Sequence, residues 1–230
     1  MNLPKQTSQV VLVVSDSWSS VNAALQRFSR RNGKWEQVGD QFPVTLGRMG
    51  MGWGLGLQAA VNDGPQKIEG DGRAPAGIFR FGTSFGYGPI PPSSSKLPYR
   101  QATERDFYVD DPQSPQYNQW VVLPPDQPDP HRLWKSFEKM KRDDYLYELG
   151  IVVEQNSDPV VKGRGSAVFF HIWRRPGAPT AGCTAMAKEN LLTLLHWLDP
   201  AQHPLLIQVS KEVRDDPKFP GEQSTTGKHN

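Results

Sequence analysis

Residues 167–198 read AVFFHIWRRPGAPTAGCTAMAKENLLTLLHWL. The opening run, Ala167-Val168-Phe169-Phe170-His171-Ile172-Trp173, is apolar on both alternating sets and rich in aromatic and branched residues, which is the pattern of a fully buried strand. Pro176, Gly177 and Pro179 then impose a loop. Over 187–198 the period changes: Leu191, Leu194, Leu195 and Leu198 recur at spacings of three and four, which predicts a helix with one apolar face, stopped by Asp199-Pro200. Between loop and helix lies Thr180-Ala181-Gly182-Cys183-Thr184-Ala185.

Outward from this unit the chain reads as strands joined by turns. Leu205-Leu206-Ile207-Gln208-Val209 predicts a final strand and Leu149-Gly150-Ile151-Val152-Val153 an earlier one. Val10-Val11-Leu12-Val13-Val14 predicts a buried first strand. Asn32-Gly33 supplies the positive φ of a tight turn and predicts a hairpin between 23–30 and 34–38. Val44-Thr45-Leu46-Gly47-Arg48 follows the hairpin, 120–123 is another short apolar run, and a second, short helix is expected over 134–143. The glycine-dense stretch 50–56 is not a dinucleotide fingerprint, because no helical pattern follows it. The 21 glycines and 21 prolines are spread along the whole chain instead of forming one tract. The expectation is therefore a mainly β fold with a few short helices and long loops: one domain over 10–210, a flexible segment at 1–9 and a polar tail at 211–230.

Composition removes several function classes. A net charge of +2 with basic residues only in scattered pairs (Arg30-Arg31, Lys141-Arg142, Arg174-Arg175) does not point to nucleic acid. No stretch approaches the roughly 20 apolar residues of a membrane span. The polar start, 1–9, does not read as a signal peptide, so either the protein is cytoplasmic or a signal has been removed. The single cysteine rules out an internal disulfide, and Cys183 is then either a small buried hydrophobe or a reactive thiol.

The reactive reading rests on context. His171 lies at the end of a strand, Gly182 precedes the cysteine and leaves room for a carbonyl to approach the backbone, and a helix follows whose N-terminal dipole would favour thiolate. The imidazole would take the thiol proton, and the N–H groups around Gly182, Cys183 and Thr184 would form an oxyanion hole. The plain alternative is a core cysteine and a strand histidine with no chemical role. A metal site is disfavoured because His131, His196, His203 and His229 show no ligand spacing with the pair.

These residues resemble the YkuD-type L,D-transpeptidase family of bacterial cell-wall enzymes, whose signature is a histidine, a variable loop and then Ser/Thr-x-Gly-Cys; here His171 and Thr180-Ala181-Gly182-Cys183. Two upstream elements strengthen the likeness: Gly-Asp-Gly-x-x-Pro-Ala-Gly-x-Phe at 70–79, and Val-Asp-Asp-Pro-x-Ser-x-x-Tyr-Asn at 109–118. The resemblance implies a β-sandwich with the site at one end under loops, and a location in the periplasm or cell envelope. It implies thioester chemistry on peptidoglycan tetrapeptide stems without metal or cofactor, and covalent capture by carbapenems. The chain departs from the family pattern at Ala181 and Ile172, where many members carry histidine and serine, and at Ala185, where an arginine or asparagine is common.

Around the pair, Trp173, Arg174 and Arg175 either bracket a peptide stem or form a surface loop with an aromatic anchor. Thr180, Thr184, Ser166 and Tyr87 are candidate substrate contacts; Tyr87, Trp53 and Tyr117 are also candidate cleft aromatics, although such residues are more often core. Asp110 and Asp111 either orient a histidine or cap the turn before Pro112. Three functions compete: L,D-transpeptidation; hydrolysis of the same stems by an L,D-carboxypeptidase or endopeptidase; and a catalytically inactive wall-binding module.

Overall fold

The computed structural model describes residues 3–92 and 95–214. Of the expected tail at 211–230, residues 211–214 form a short helix and the rest lies outside the described residues. Of the expected flexible segment at 1–9, Thr7 and Gln9 are buried, Ser8 N–H donates to Gln202 O, and Gln9 opens the first strand.

The chain is mainly β. In order it forms β1 (Gln9–Ser15), β2 (Asn22–Arg31), β3 (Lys34–Thr45), β4 (Met51–Trp53), β5 (Ala74–Gly86), β6 (Tyr99–Gln101), β7 (Asp106–Val109), β8 (Gln119–Val122), β9 (Phe137–Lys139), β10 (Leu149–Val153), β11 (Phe169–Ile172), β12 (Thr184–Met186), helix α1 (Lys188–Trp197), β13 (Leu205–Ser210) and the short α2 (Lys211–Arg214). The predicted hairpin is present: Asn32 and Gly33 both take positive φ, and β2 and β3 pair from Arg31↔Lys34 outward. That register runs on past the expected strand end, so 44–45 belong to β3.

Hydrogen-bonded order is β4-β5-β13-β1-β2-β3-β12-β11-β10, and β10 pairs again with β5. The long strand β5 makes this closure possible. Its first half, Gly77 to Arg80, pairs with β13, and its second half, Phe81 to Gly86, pairs with β10. Strands that change partner along their length form the corners of a sandwich, and the register irregularity between Ile151 and Val153 sits at this corner. At the other end one bridge, Ala185↔Thr45, joins β12 to β3. The enclosed core takes Val11, Val13, Leu25, Val44, Phe79, Ile151, Phe170 and Leu206, with Leu191, Leu194, Leu195 and Leu198 of the α1 segment closing it. The leucine stripe is core.

A separate three-stranded sheet, β8-β7-β9, sits beside the sandwich. Its central strand shows why: Phe107 and Val109 point to one side and join Leu123, Trp134 and Phe137, whereas Tyr108 points to the other and joins Phe85, Phe169 and Cys183. The expected helix over 134–143 is not formed. Phe137 packs edge-on against Phe107 and near Trp134 and His131. That aromatic burial, with the Tyr108↔Glu138 pairing on β7, outweighs the helical propensity of the Glu-Lys-Met-Lys-Arg run.

Candidate active site

Strands β11 and β12 run parallel, with His171 opposite Ala185. Side chains two apart on a strand share a face, so Phe169 and His171 on one strand and Ala185 with the preceding Cys183 on the other face the same way. Cys183 and His171 are then diagonal neighbours on adjacent strands. Both line one cavity of about 320 Å³, together with Ala185.

Cys183 is 8% exposed and His171 7%. The Phe169 N–H donates to Cys183 Sγ at 3.4 Å, and Sγ lies 3.5 Å from Ala167 O as donor. Burial pushes the thiol up to about 12, opposed by the Phe169 hydrogen bond and by the charges of Lys67 and Arg142, while Glu138 adds to the rise. Burial likewise holds His171 down at about 4. The resting pair is therefore neutral thiol and neutral imidazole. His171 Nδ1 lies 2.8 Å from Ile172 O. A carbonyl oxygen only accepts, so Nδ1 carries the proton and Nε2 keeps its lone pair, which is the state a base requires. The Tyr147 ring stands edge-on to the imidazole at 5.2 Å.

One sequence expectation fails here. Cys183 does not precede a helix N-terminus; it enters β12, and α1 begins only at Lys188. Small residues at Ala185 and Ala187 and the free ladder edge of β11 let the chain stay extended for three residues first, so the helix dipole does not act on the sulfur.

Gly182 takes φ +151°, and a Cβ there would lie 3.0 Å from Arg73 O, so both backbone and space require glycine. Thr180 shapes the turn: its Oγ1 donates to Cys183 O at 2.7 Å and accepts from Gly182 N–H at 3.1 Å. The Gly182 amide is thereby engaged within the turn and is not a free oxyanion donor.

Other predicted residues divide. Trp173, Arg174, Thr180 and Ser166 line the cavity, and Ser166 Oγ donates to Glu69 Oε2 at 2.7 Å. Arg175 is exposed and outside the lining. Thr184 is also outside it, because strand alternation turns its side chain to the opposite face, where Oγ1 bonds Gln208 Oε1 at 2.8 Å. Tyr87 stands behind the wall, donating to Asp144 O and accepting from Arg142 N–H. Trp53 is core. Tyr117 is buried, and its hydroxyl donates to Glu69 Oε2. Asp111 caps its turn through Gln113 N and Lys135 N, whereas its neighbour Asp110 lines the cavity, its carboxyl held above the usual range by burial.

Sequence reading missed the charged wall: Lys67, Glu69, Glu138 and Arg142. Arg142 forks onto Asp144, stacks over Tyr147 at 5.1 Å and approaches Glu138 at 3.6 Å. Glu69 adjoins the 70–79 motif and was available as a signal; Glu138 and Arg142 fell in the stretch read as a helix. Among the described residues no group of three His, Cys, Asp or Glu side chains is disposed to hold a metal ion.

Residues 17–211 match the family model described as YkuD, L,D-transpeptidase catalytic domain. A crystal structure of the helical cell shape determining protein Pgp2 from Campylobacter jejuni, a point mutant, is similar at 15% identity and a TM-score of 0.42; the match covers 89% of this chain and 47% of that one, so the chain spans about half of that protein. No curated protein matches the chain.

Proposed function

The chain belongs to the YkuD family of L,D-transpeptidase catalytic domains, and from that premise we propose that it is a cysteine-dependent L,D-transpeptidase acting on peptidoglycan tetrapeptide stems in the cell envelope. The observation that carries the reading is the shared strand face that turns Cys183 and His171 into one cavity.

In the proposed cycle a stem enters between Trp173, Arg174 and the charged wall. His171 Nε2 takes the Sγ proton as sulfur attacks the carbonyl between the meso-diaminoacid and the terminal D-residue. The negative charge then develops on the carbonyl oxygen beside Gly182, where the Cys183 N–H is the proposed donor. The imidazolium passes its proton to the departing amine, leaving a thioester that the side-chain amine of a second stem resolves into a cross-link. The family groups absent at Ala181 and Ala185 take no part, so orientation falls to the Ile172 carbonyl and the Tyr147 ring.

Incubation with a disaccharide-tetrapeptide, read by mass spectrometry, tests this. Cross-linked dimers are expected. Tripeptide alone would make the enzyme a hydrolase, and unchanged substrate would reduce it to a binding module.

A further inference from the structure

Lys67 is 4% exposed, yet it lines the cavity that holds Cys183. Its ammonium donates to Asp71 Oδ1 at 2.6 Å and to Ile68 O at 2.8 Å. An ammonium has three donors, so one N–H is left beyond these two. Its alkyl chain packs against Gly165, where an added Cβ would meet Lys67 Cε at 2.9 Å and Cγ at 3.0 Å. The head group stands beside the nucleophile's turn, since a Cβ on Gly182 would fall 3.9 Å from Nζ.

With the helix starting too late to act on the sulfur, some other positive charge must offset the burial of an anion at Cys183. We propose that the buried Lys67 ammonium is that charge: it stabilises the anionic forms of the site, the Cys183 thiolate and the oxyanion that follows. The proposal rests on Cys183 being the nucleophile. Other groups facing the sulfur's cavity are Glu69, Asp110 and Glu138, which oppose the anion, and Arg142, Arg174 and a protonated His171, which favour it. Both Arg142 and Lys67 are paired, the first forked onto Asp144 and the second onto Asp71, and it is Lys67 whose Nζ stands at the turn of Gly182 and Cys183. Asp71 is itself held by Ile68 N–H and Arg73 N–H, so it anchors the ammonium while its charge is spread over several donors.

The test is alkylation of the sole cysteine by iodoacetamide, followed by intact mass from about pH 7 to 9, where rate follows the thiolate fraction. Lys67→Met is paired with Lys67→Met/Asp71→Asn, which removes the orphaned carboxylate, and circular dichroism checks each fold. In both variants the rate should fall about tenfold at every pH, the effect of a one-unit rise in the thiol pKa. Simple loosening of the fold would expose the sulfur and raise the rate, and an unchanged or raised rate in a folded variant would overturn the role of Lys67 alone. A wild-type cysteine inert throughout the range would instead overturn the nucleophile reading on which the proposal stands.

Discussion

The backbone N–H of Phe169 donates to the Sγ of Cys183 across 3.4 Å, so the strand that carries the base also holds the nucleophile. Phe169 and His171 are alternate residues of β11, and any shift of that strand's register would move both contacts at once. The expected chemistry follows from this coupling.

Replacing the base should separate activity from structure. His171→Gln should lower turnover by about 10²–10⁴-fold while leaving the β-rich circular dichroism spectrum in place. Turnover near the wild-type rate in a steady-state assay of product would remove His171 from the reaction.

Acid should weaken the native fold through the same residue. Burial holds His171 at about 4 against an ordinary value of 6.5. The unfolded chain therefore binds the proton first, and the stability present above about pH 6.5 is lost as pH falls through about 4. The contribution is roughly 3 kcal/mol. Denaturant titrations at several pH values should show this slope in the wild type and its loss in His171→Gln.

Gly182→Ala should cost about 1–3 kcal/mol of stability, because φ +151° is strained for alanine and its methyl would press on Arg73 O. Since Thr180 and Cys183 share that turn, thiol alkylation should change as well. A variant with wild-type melting temperature and reactivity would show that the turn tolerates a side chain.

Asn118 ties the small sheet to the site. Its Nδ2 donates to Gln155 O and Asn156 O, and its Oδ1 accepts from Ala167 N–H, two residues before Phe169. Asn118→Ala would leave three backbone groups without partners, and the unfolding free energy should drop by roughly 2–4 kcal/mol. A loss under about 0.5 kcal/mol, the range of ordinary surface changes, would show that these contacts are replaceable.

Much of this architecture was legible in the chain because its signals are local. The Asn32-Gly33 turn, the apolar run before Ile172 and the leucine period of α1 each act within a few residues. That Cys183 and His171 would line one cavity was legible through spacing and glycine. What stayed hidden depends on tertiary partners. Residues 137–139 become a strand because Phe107 and β7 offer a surface, and Cys183 enters a strand because β11 has an edge to pair. The charged wall was illegible for the same reason: Lys67 lies between β4 and β5 and Arg142 between β9 and β10, and only the folded chain brings them to one cavity.

The most direct measurement is the intact mass of the protein after incubation with a carbapenem, whose strained carbonyl acylates a suitably activated thiolate, alongside Cys183→Ala. Expected is a single covalent adduct on the wild type, mapped by peptide mass to Cys183, and none on the variant. A wild type that stays unmodified, or a variant that is labelled equally, would contradict Cys183 as the nucleophile.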